Sequence, residues 1–274
     1  MITPANLPSY RLLPLLGLLF CALGIAGCRC SERPSIDADR SDGVIPSIVV
    51  PHLRSAPPSI DGKLDDPAWR LAASTGWFVS PGDGKARPSS KVNAQAKLIW
   101  DQKHLYFAFE VYDGDPTSPF APDAEDPHIW ERASAVELMI QPGNPGNNSN
   151  YFEIQVDVAR AVWDTRFDDY NRPISQREGR RIFGHQAWKS QIERAVVIQK
   201  AKRRYLLELA VPWRAFSANG VSIPPRAGDV WRINLYAFRD GQRAALAWSP
   251  ILGRGNFHRA ERFGRVTFGA AKKR

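Results

Sequence analysis

The chain has 274 residues, a formal net charge of +9 and 43% hydrophobic residues, a composition that suits a globular domain rather than a disordered or fibrous chain. Its three cysteines, Cys21, Cys28 and Cys30, all precede residue 31. Beyond them, a disulfide-stapled core, a thiolate nucleophile and a cysteine zinc site are therefore excluded.

At the N-terminus, Arg11 precedes an apolar run from Leu12 to Ile25 that is too short to span a bilayer and ends in small residues. Residues 1–27 thus read as an export signal. Ile25-Ala26-Gly27-Cys28 resembles the bacterial lipobox, which implies lipidation of Cys28 and membrane contact through that lipid. Under the same resemblance, Arg29 in place of an aspartate implies an outer-membrane lipoprotein. The polar stretch 28–47 reads as a flexible tether. Residues 48–270 read as a single domain, with no internal repeat and no second linker.

Within that domain the expected strands are Lys97–Trp100, Leu105–Val111, Val136–Gln141, Phe152–Val158, Ala195–Gln199, Tyr205–Val211, Val230–Phe238 and Arg265–Phe268. Asp66-Pro67-Ala68-Trp69 predicts a brief helix with Asp66 as its N-cap and proline at the first helical position. Val211–Phe216 predicts a single turn after a strand. Short strands, Gly/Pro/Asn turns and few helices predict an all-β fold, an antiparallel β-sandwich with one or two short helices. Five tryptophans, Trp69, Trp100, Trp213, Trp231 and Trp248, are expected in the packed framework. The Arg-rich stretch 159–190, bordered by Trp163 and Trp188, has no assigned place: it either walls a site or lies over the sheet.

The basic run Lys200-Ala201-Lys202-Arg203-Arg204 falls between two expected strands. It reads as a solvated hairpin tip rather than a nucleic-acid site, so no nucleic-acid partner is expected.

Strand alternation singles out one polar face. Val136, Leu138 and Ile140 point one way, so Glu137 and Met139 point the other. Phe152, Ile154, Val156 and Val158 likewise send Glu153, Gln155 and Asp157 to the opposite side. If the two strands pair through the 142–150 loop, Glu137 shares a face with Gln155 or Glu153. That face is either a pocket or the solvent side of a sheet. Trp130, seven residues before Glu137, would supply an aromatic plate beside an acid, the two parts used to hold sugars.

Ile60-Asp61-Gly62-Lys63-Leu64-Asp65-Asp66-Pro67-Ala68-Trp69 resembles the opening signature of family 9 carbohydrate-binding modules and their DOMON-like relatives. The resemblance continues through Leu98-Ile99-Trp100-Asp101, Trp130-Glu131, Val136-Glu137, Tyr151-Phe152-Glu153-Ile154, Val211-Pro212-Trp213, Gly228–Asn234, Trp248-Ser249-Pro250 and Phe263-Gly264. It implies a jelly-roll-like β-sandwich that binds an oligo- or polysaccharide without catalysis, with a role accessory to glycoside hydrolysis as an alternative. Two aromatic rings would grip a terminal sugar. Position by position, the rings fall on Trp130 and Phe257, the acid on Glu137, a polar sheet position on Gln155, and a further polar group on Arg254 or Asn256. The sequence departs from the pattern with one extra residue between Trp130 and Glu137, a phenylalanine as second ring, and Gln155 where a relative can carry arginine.

Other readings stay open beside this one. Asp113, Asp115, Asp123 and Asp126 are candidate ligands for a structural calcium ion or a solvated acidic loop; no cofactor is otherwise indicated. Glu137 with Glu153 or Asp157 would be the carboxylate pair of a glycoside hydrolase. Met139 with His128 would be the axial pair of a haem-binding relative. A scaffold for envelope protein contacts would use the same sandwich without a ligand.

Overall fold

A strand that alternates apolar and polar residues must bury its apolar side, and here two sheets do so against each other. The structure is a computed structural model. It describes residues 35–177, 180–239 and 244–270; residues 1–34, on which the expected export signal and the lipidation expected at Cys28 fall, lie outside the described residues. The strands in chain order are β1 (Ser47–Val50), β2 (Ala73–Trp77), β3 (Val92–Trp100), β4 (His104–Asp113), β5 (Ala135–Gln141), β6 (Ser149–Asp157), β7 (Val162–Asp169) and β8 (Ser175–Arg177). They continue with β9 (Arg180–Ile182), β10 (Gly184–His185), β11 (Glu193–Gln199), β12 (Arg204–Pro212), β13 (Val230–Arg239), β14 (Ala244–Ala247) and β15 (Gly264–Phe268). Helices α1 (Ala68–Leu71) and α2 (Ile129–Arg132) are single turns. No helix among the described residues is long and apolar enough to cross a membrane.

One sheet runs β1-β15-β13-β5-β6-β7-β10, with β14 also on β13; the second runs β11-β12-β4-β3-β2, and β8 and β9 form a separate two-stranded sheet. Every pairing is antiparallel except β1 with β15. All eight strands read from the sequence are present. The basic run at 200–204 is the turn of the β11–β12 hairpin.

Between the sheets lie Phe107, Phe109, Leu207 and Leu209 from one side and Val136, Leu138, Ile140, Ile154, Val156 and Leu235 from the other, all buried. Burying each such side chain stabilises the fold by roughly 1.5–3 kcal/mol. Trp100, Trp213, Trp231 and Phe268 pack edge-to-face at one end of this core. Trp69 and Trp248 are also buried, so the five framework tryptophans all pack inside.

The opening signature is explained by one acid. Glu208, on β12 and fully buried, accepts hydrogen bonds from the backbone N–H groups of Asp61, Gly62 and Leu64 and from Trp69 Nε1 at 2.6–3.2 Å. Gly62 has φ +83°, and a Cβ there would meet Val197 Cγ2 at 2.8 Å, so the loop can close on the carboxylate only with glycine. The N-cap expected at Asp66 is corrected. Helix α1 begins after Pro67 without a side-chain cap, because the Asp66 carboxylate instead accepts from Ser59 N.

Part of the stretch read as a tether lies against the domain. Arg40 donates to the carbonyls of Trp77 and Thr75, Ala86 N donates to Ala38 O, and Arg262 donates to Gly43 O. Polar composition does not reveal this docking, because the bonds use backbone carbonyls.

Replacing Glu208 by alanine strands four donors around a buried gap. Glu208→Ala is expected to lower unfolding stability by about 3 kcal/mol or more. Chemical denaturation that finds less than about 1 kcal/mol would contradict the clamp's role.

Candidate functional site

The outer face of the larger sheet is covered, and the strand register arranges what lies on it. Glu137 stands opposite Gln155 on one side and Tyr236 on the other, and Gln155 stands opposite Trp163. Tyr236, Glu137, Gln155 and Trp163 therefore form one row across β13, β5, β6 and β7. The next row is Asn234, Met139, Glu153 and Thr165. Glu137, Glu153 and Gln155 are only 1%, 3% and 1% exposed, so this is not the solvent side of a sheet.

Above these rows lies a cavity of about 690 Å³, within the range of small-molecule sites. Its floor is Glu137, Glu153, Gln155 and Thr165. One wall carries Asp126, His128 and Trp130 from the α2 end, a second carries Arg181 to Gly184 and Gln186, and a third carries Asn256, Phe257 and His258. Trp163, Phe167 and Tyr170 of β7 and its following turn complete the lining.

The walls are tied down. Tyr236 stacks face to face with Phe257, with ring centres 4.0 Å apart and planes 5° apart, and donates from its hydroxyl to Phe257 O. Asn148 grips the same loop through His258 O and Ala260 N, while Arg232 reaches Glu261 O. On the facing wall, strand β10 lies so close that a Cβ on Gly184 would sit 2.4 Å from Thr165 Oγ1. Trp130 carries His128 stacked over it at 4.5 Å and meets Trp163 edge-on at 4.8 Å.

The floor is rich in unused acceptors. Gln155 Nε2 donates to Glu137 Oε2 at 2.9 Å and to Glu153 Oε1 at 2.7 Å. Glu137 Oε1, Glu153 Oε2, Gln155 Oε1 and Thr165 Oγ1 are buried with no hydrogen-bond partner among the described residues. Loss of water pushes the Glu137 carboxyl well above the usual carboxylate range, and the neighbouring Glu153 adds to this. Burial also raises Glu153 to about 8, so at neutral pH this pair holds at least one proton. His258 lies near it, with Nε2 at 3.8 Å from Glu153 Oε2. Burial draws that imidazole down to about 3, so it is neutral and shares a hydrogen bond with the Tyr151 hydroxyl rather than forming an ion pair.

Of the residues chosen from the sequence, Trp130, Glu137, Gln155, Asn256 and Phe257 meet at this cavity, whereas Arg254 is exposed and outside its lining. Asn256 donates to the Tyr170 hydroxyl at 3.0 Å. Asp157 is used elsewhere: it accepts from Ala159 N, Ala161 N and the Ser118 hydroxyl, which shapes the turn into β7. Glu137 and Glu153 rise from one sheet face and share one amide, rather than flanking a cleft as a hydrolytic pair does. Met139 is enclosed by Tyr151, Phe167, Tyr236 and Phe263 and does not line the cavity, and its expected partner His128 is on the exposed rim.

The four candidate calcium ligands are dispersed in role. Asp113 pairs with Arg239 at 2.7 Å and accepts from Ser134, Asp126 pairs with Lys189, and Asp115 and Asp123 are exposed. No three acidic or histidine side chains among the described residues gather to hold a metal ion.

Sequence reasoning named Trp163 only as the border of a stretch that either walls the site or lies over the sheet, and it passed over Thr165 and Tyr170 within that stretch; all three line the cavity. The alternation Trp163, Thr165, Phe167 was the available signal.

Residues 60–270 match the model of the carbohydrate family 9 binding domain-like family. Among solved structures, the fold is similar to a family 9 carbohydrate-binding module from Caldicellulosiruptor kristjanssonii in complex with cellotriose, at 16% identity and TM-score 0.53, covering 82% of this chain and 95% of that one. A family 9 module from the same organism in complex with glucose gives 16% identity and TM-score 0.54, covering 83% and 98%. A candidate carbohydrate-binding protein from Bacteroides uniformis gives 17% identity and TM-score 0.60, covering 81% and 99%. No curated protein matches the chain.

The raised floor acids set a pH dependence. A carboxyl whose folded value lies above its ordinary one near 4.5 is stabilising to the fold only while protonated, so stability falls as pH rises from about 4.5 to about 8. Glu153→Gln removes that titration. The variant is expected to unfold like the parent at pH 5 and to be more stable at pH 8, by on the order of 2 kcal/mol. An equal difference at both pH values would contradict the assignment.

Proposed function

This chain belongs to the carbohydrate family 9 binding domain-like proteins, and from that premise we propose that its covered cavity binds a sugar without transforming it. The observation that carries the reading is the floor: four buried acceptors without partners among the described residues, ringed by aromatic side chains. A buried polar group left unpaired costs roughly 1–3 kcal/mol. A ligand with several hydroxyl donors on one edge and apolar C–H faces relieves that cost and packs on the rings. Membership of a non-catalytic binding family supports a role in holding the sugar only.

In this reading Trp130 and Phe257 are the stacking plates, with Trp163 as a third aromatic surface beside Gln155. Phe257 offers the sugar a single face, since Tyr236 occupies the other. Glu137, Glu153, Gln155 and Thr165 take the hydroxyl protons. The sugars held in the similar structures, cellotriose and glucose, make β-linked glucose oligomers the first ligands to try.

Titration calorimetry of the full-length protein, in a detergent without a sugar head group, tests this. Trp130→Ala and Phe257→Ala are each expected to weaken binding about tenfold or more, the equivalent of about 1.4 kcal/mol. Unchanged affinity in both variants would place the sugar elsewhere.

We further propose that the domain is held at the outer membrane by a lipid on Cys28. Cys28→Ala is expected to abolish palmitate labelling and to move the protein from the membrane to the soluble envelope fraction. Continued labelling of the variant would remove this anchor.

A further inference from the structure

Resting on the sugar-binding reading, we infer that the cavity selects a sugar bearing a protonated amine, because its floor presents two buried carboxyls for which no described residue supplies a cation.

The charge inventory around the floor is short. Neither Glu137 nor Glu153 has a lysine or arginine partner among the described residues; their shared partner is the neutral amide of Gln155. The other charged groups of the lining are engaged elsewhere. Asp126 is paired with Lys189, His128 with Glu131, and Arg181 lies over the Phe183 ring. His258 is neutral, and burial pushes the phenols of Tyr151, Tyr170 and Tyr236 up, so each keeps its proton. Among the described residues, no cation from any wall answers the two acids.

A structural ion pair would have brought its own countercharge, since burying an uncompensated charge is expensive. Here a proton does that work, and a proton can be exchanged. An ammonium group entering above Gln155 would displace it, pair with both carboxyls and fill the free positions on Glu137 Oε1 and Glu153 Oε2. The surrounding rings favour the same ligand, because their faces attract a cation while their area covers the sugar. A neutral hydroxyl or N-acetyl group satisfies the hydrogen bonds but leaves the protonation of the floor unchanged.

Binding of the amine therefore releases a proton. The preference should grow by about tenfold per pH unit while the floor is the titrating partner. It should stop growing where the amine itself loses its charge.

The test compares three trisaccharides on the full-length protein by calorimetry at pH 5 and pH 7: glucosamine trimer, its N-acetylated form and cellotriose. At pH 7 the glucosamine trimer should bind at least tenfold more tightly than the other two. The measured heat should change with the ionisation enthalpy of the buffer, as proton release requires. At pH 5 the preference should shrink, and in Glu153→Gln the affinity ratio should fall towards one. Equal affinities at pH 7, or a preference untouched by pH and by Glu153→Gln, would overturn the proposal while leaving sugar binding standing. Failure of all three sugars to bind would overturn both.

Discussion

The register between β5 and β6 is the constraint on which the rest depends. Glu137 opposite Gln155 puts Val136, Leu138, Ile140, Ile154 and Val156 into the core and sends the acids outward. A slip of one residue would bury the acids between the sheets and expose the aliphatic set, reversing both faces together. Both neighbours hold the same register: Tyr236 is level with Glu137 on β13, and Trp163 with Gln155 on β7. The site is thus a row of a sheet before it is a pocket. Its geometry inherits the rigidity of four paired strands.

The outer face differs from an ordinary solvated one because loops have been fastened over it. The wall of Phe257 and His258 is held by Asn148, Arg232 and the Tyr236 hydroxyl, and the opposite wall depends on the close approach that Gly184 permits. Covering polar side chains without pairing them works against stability, and the raised acids are the visible consequence. Such an arrangement is sustained by the remainder of the fold, above all by a large aliphatic and aromatic core on the other side of the same strands.

Much of this was legible from period-two alternation. It located the eight main strands and put Glu137, Glu153 and Gln155 on one face, while the family pattern named Trp130 and Phe257, which line the same cavity. The face itself could not be read as covered, because the covering segments are irregular or short. Strand β7 escaped for a specific reason: its core-facing side carries Asp164, a buried acid satisfied by Ser190, which breaks the apolar set. Thr165 interrupts the aromatic side in the same way. Of the two alternatives for the polar position before Phe257, Asn256 lines the cavity, whereas the loop turns Arg254 out to solvent. Asp66 looked like a cap because caps and loop-closing acids share the same residue types.

The two kinds of buried glutamate in this chain separate structure from function more sharply than burial does. Glu208 and Glu137 are equally shielded, one on each sheet. Glu208 is surrounded by three backbone N–H donors and an indole N–H, so its charge is distributed over a fixed loop and nothing more can be added. Glu137 receives one amide, which it shares with Glu153, and each acid keeps a buried oxygen with no hydrogen-bond partner among the described residues, at a cavity both residues line. A glutamate that only held the fold together would gain by acquiring donors, as Glu208 has done. The pair at the floor has instead kept unfilled acceptor positions, and it is on that capacity that the proposed binding of a sugar rests.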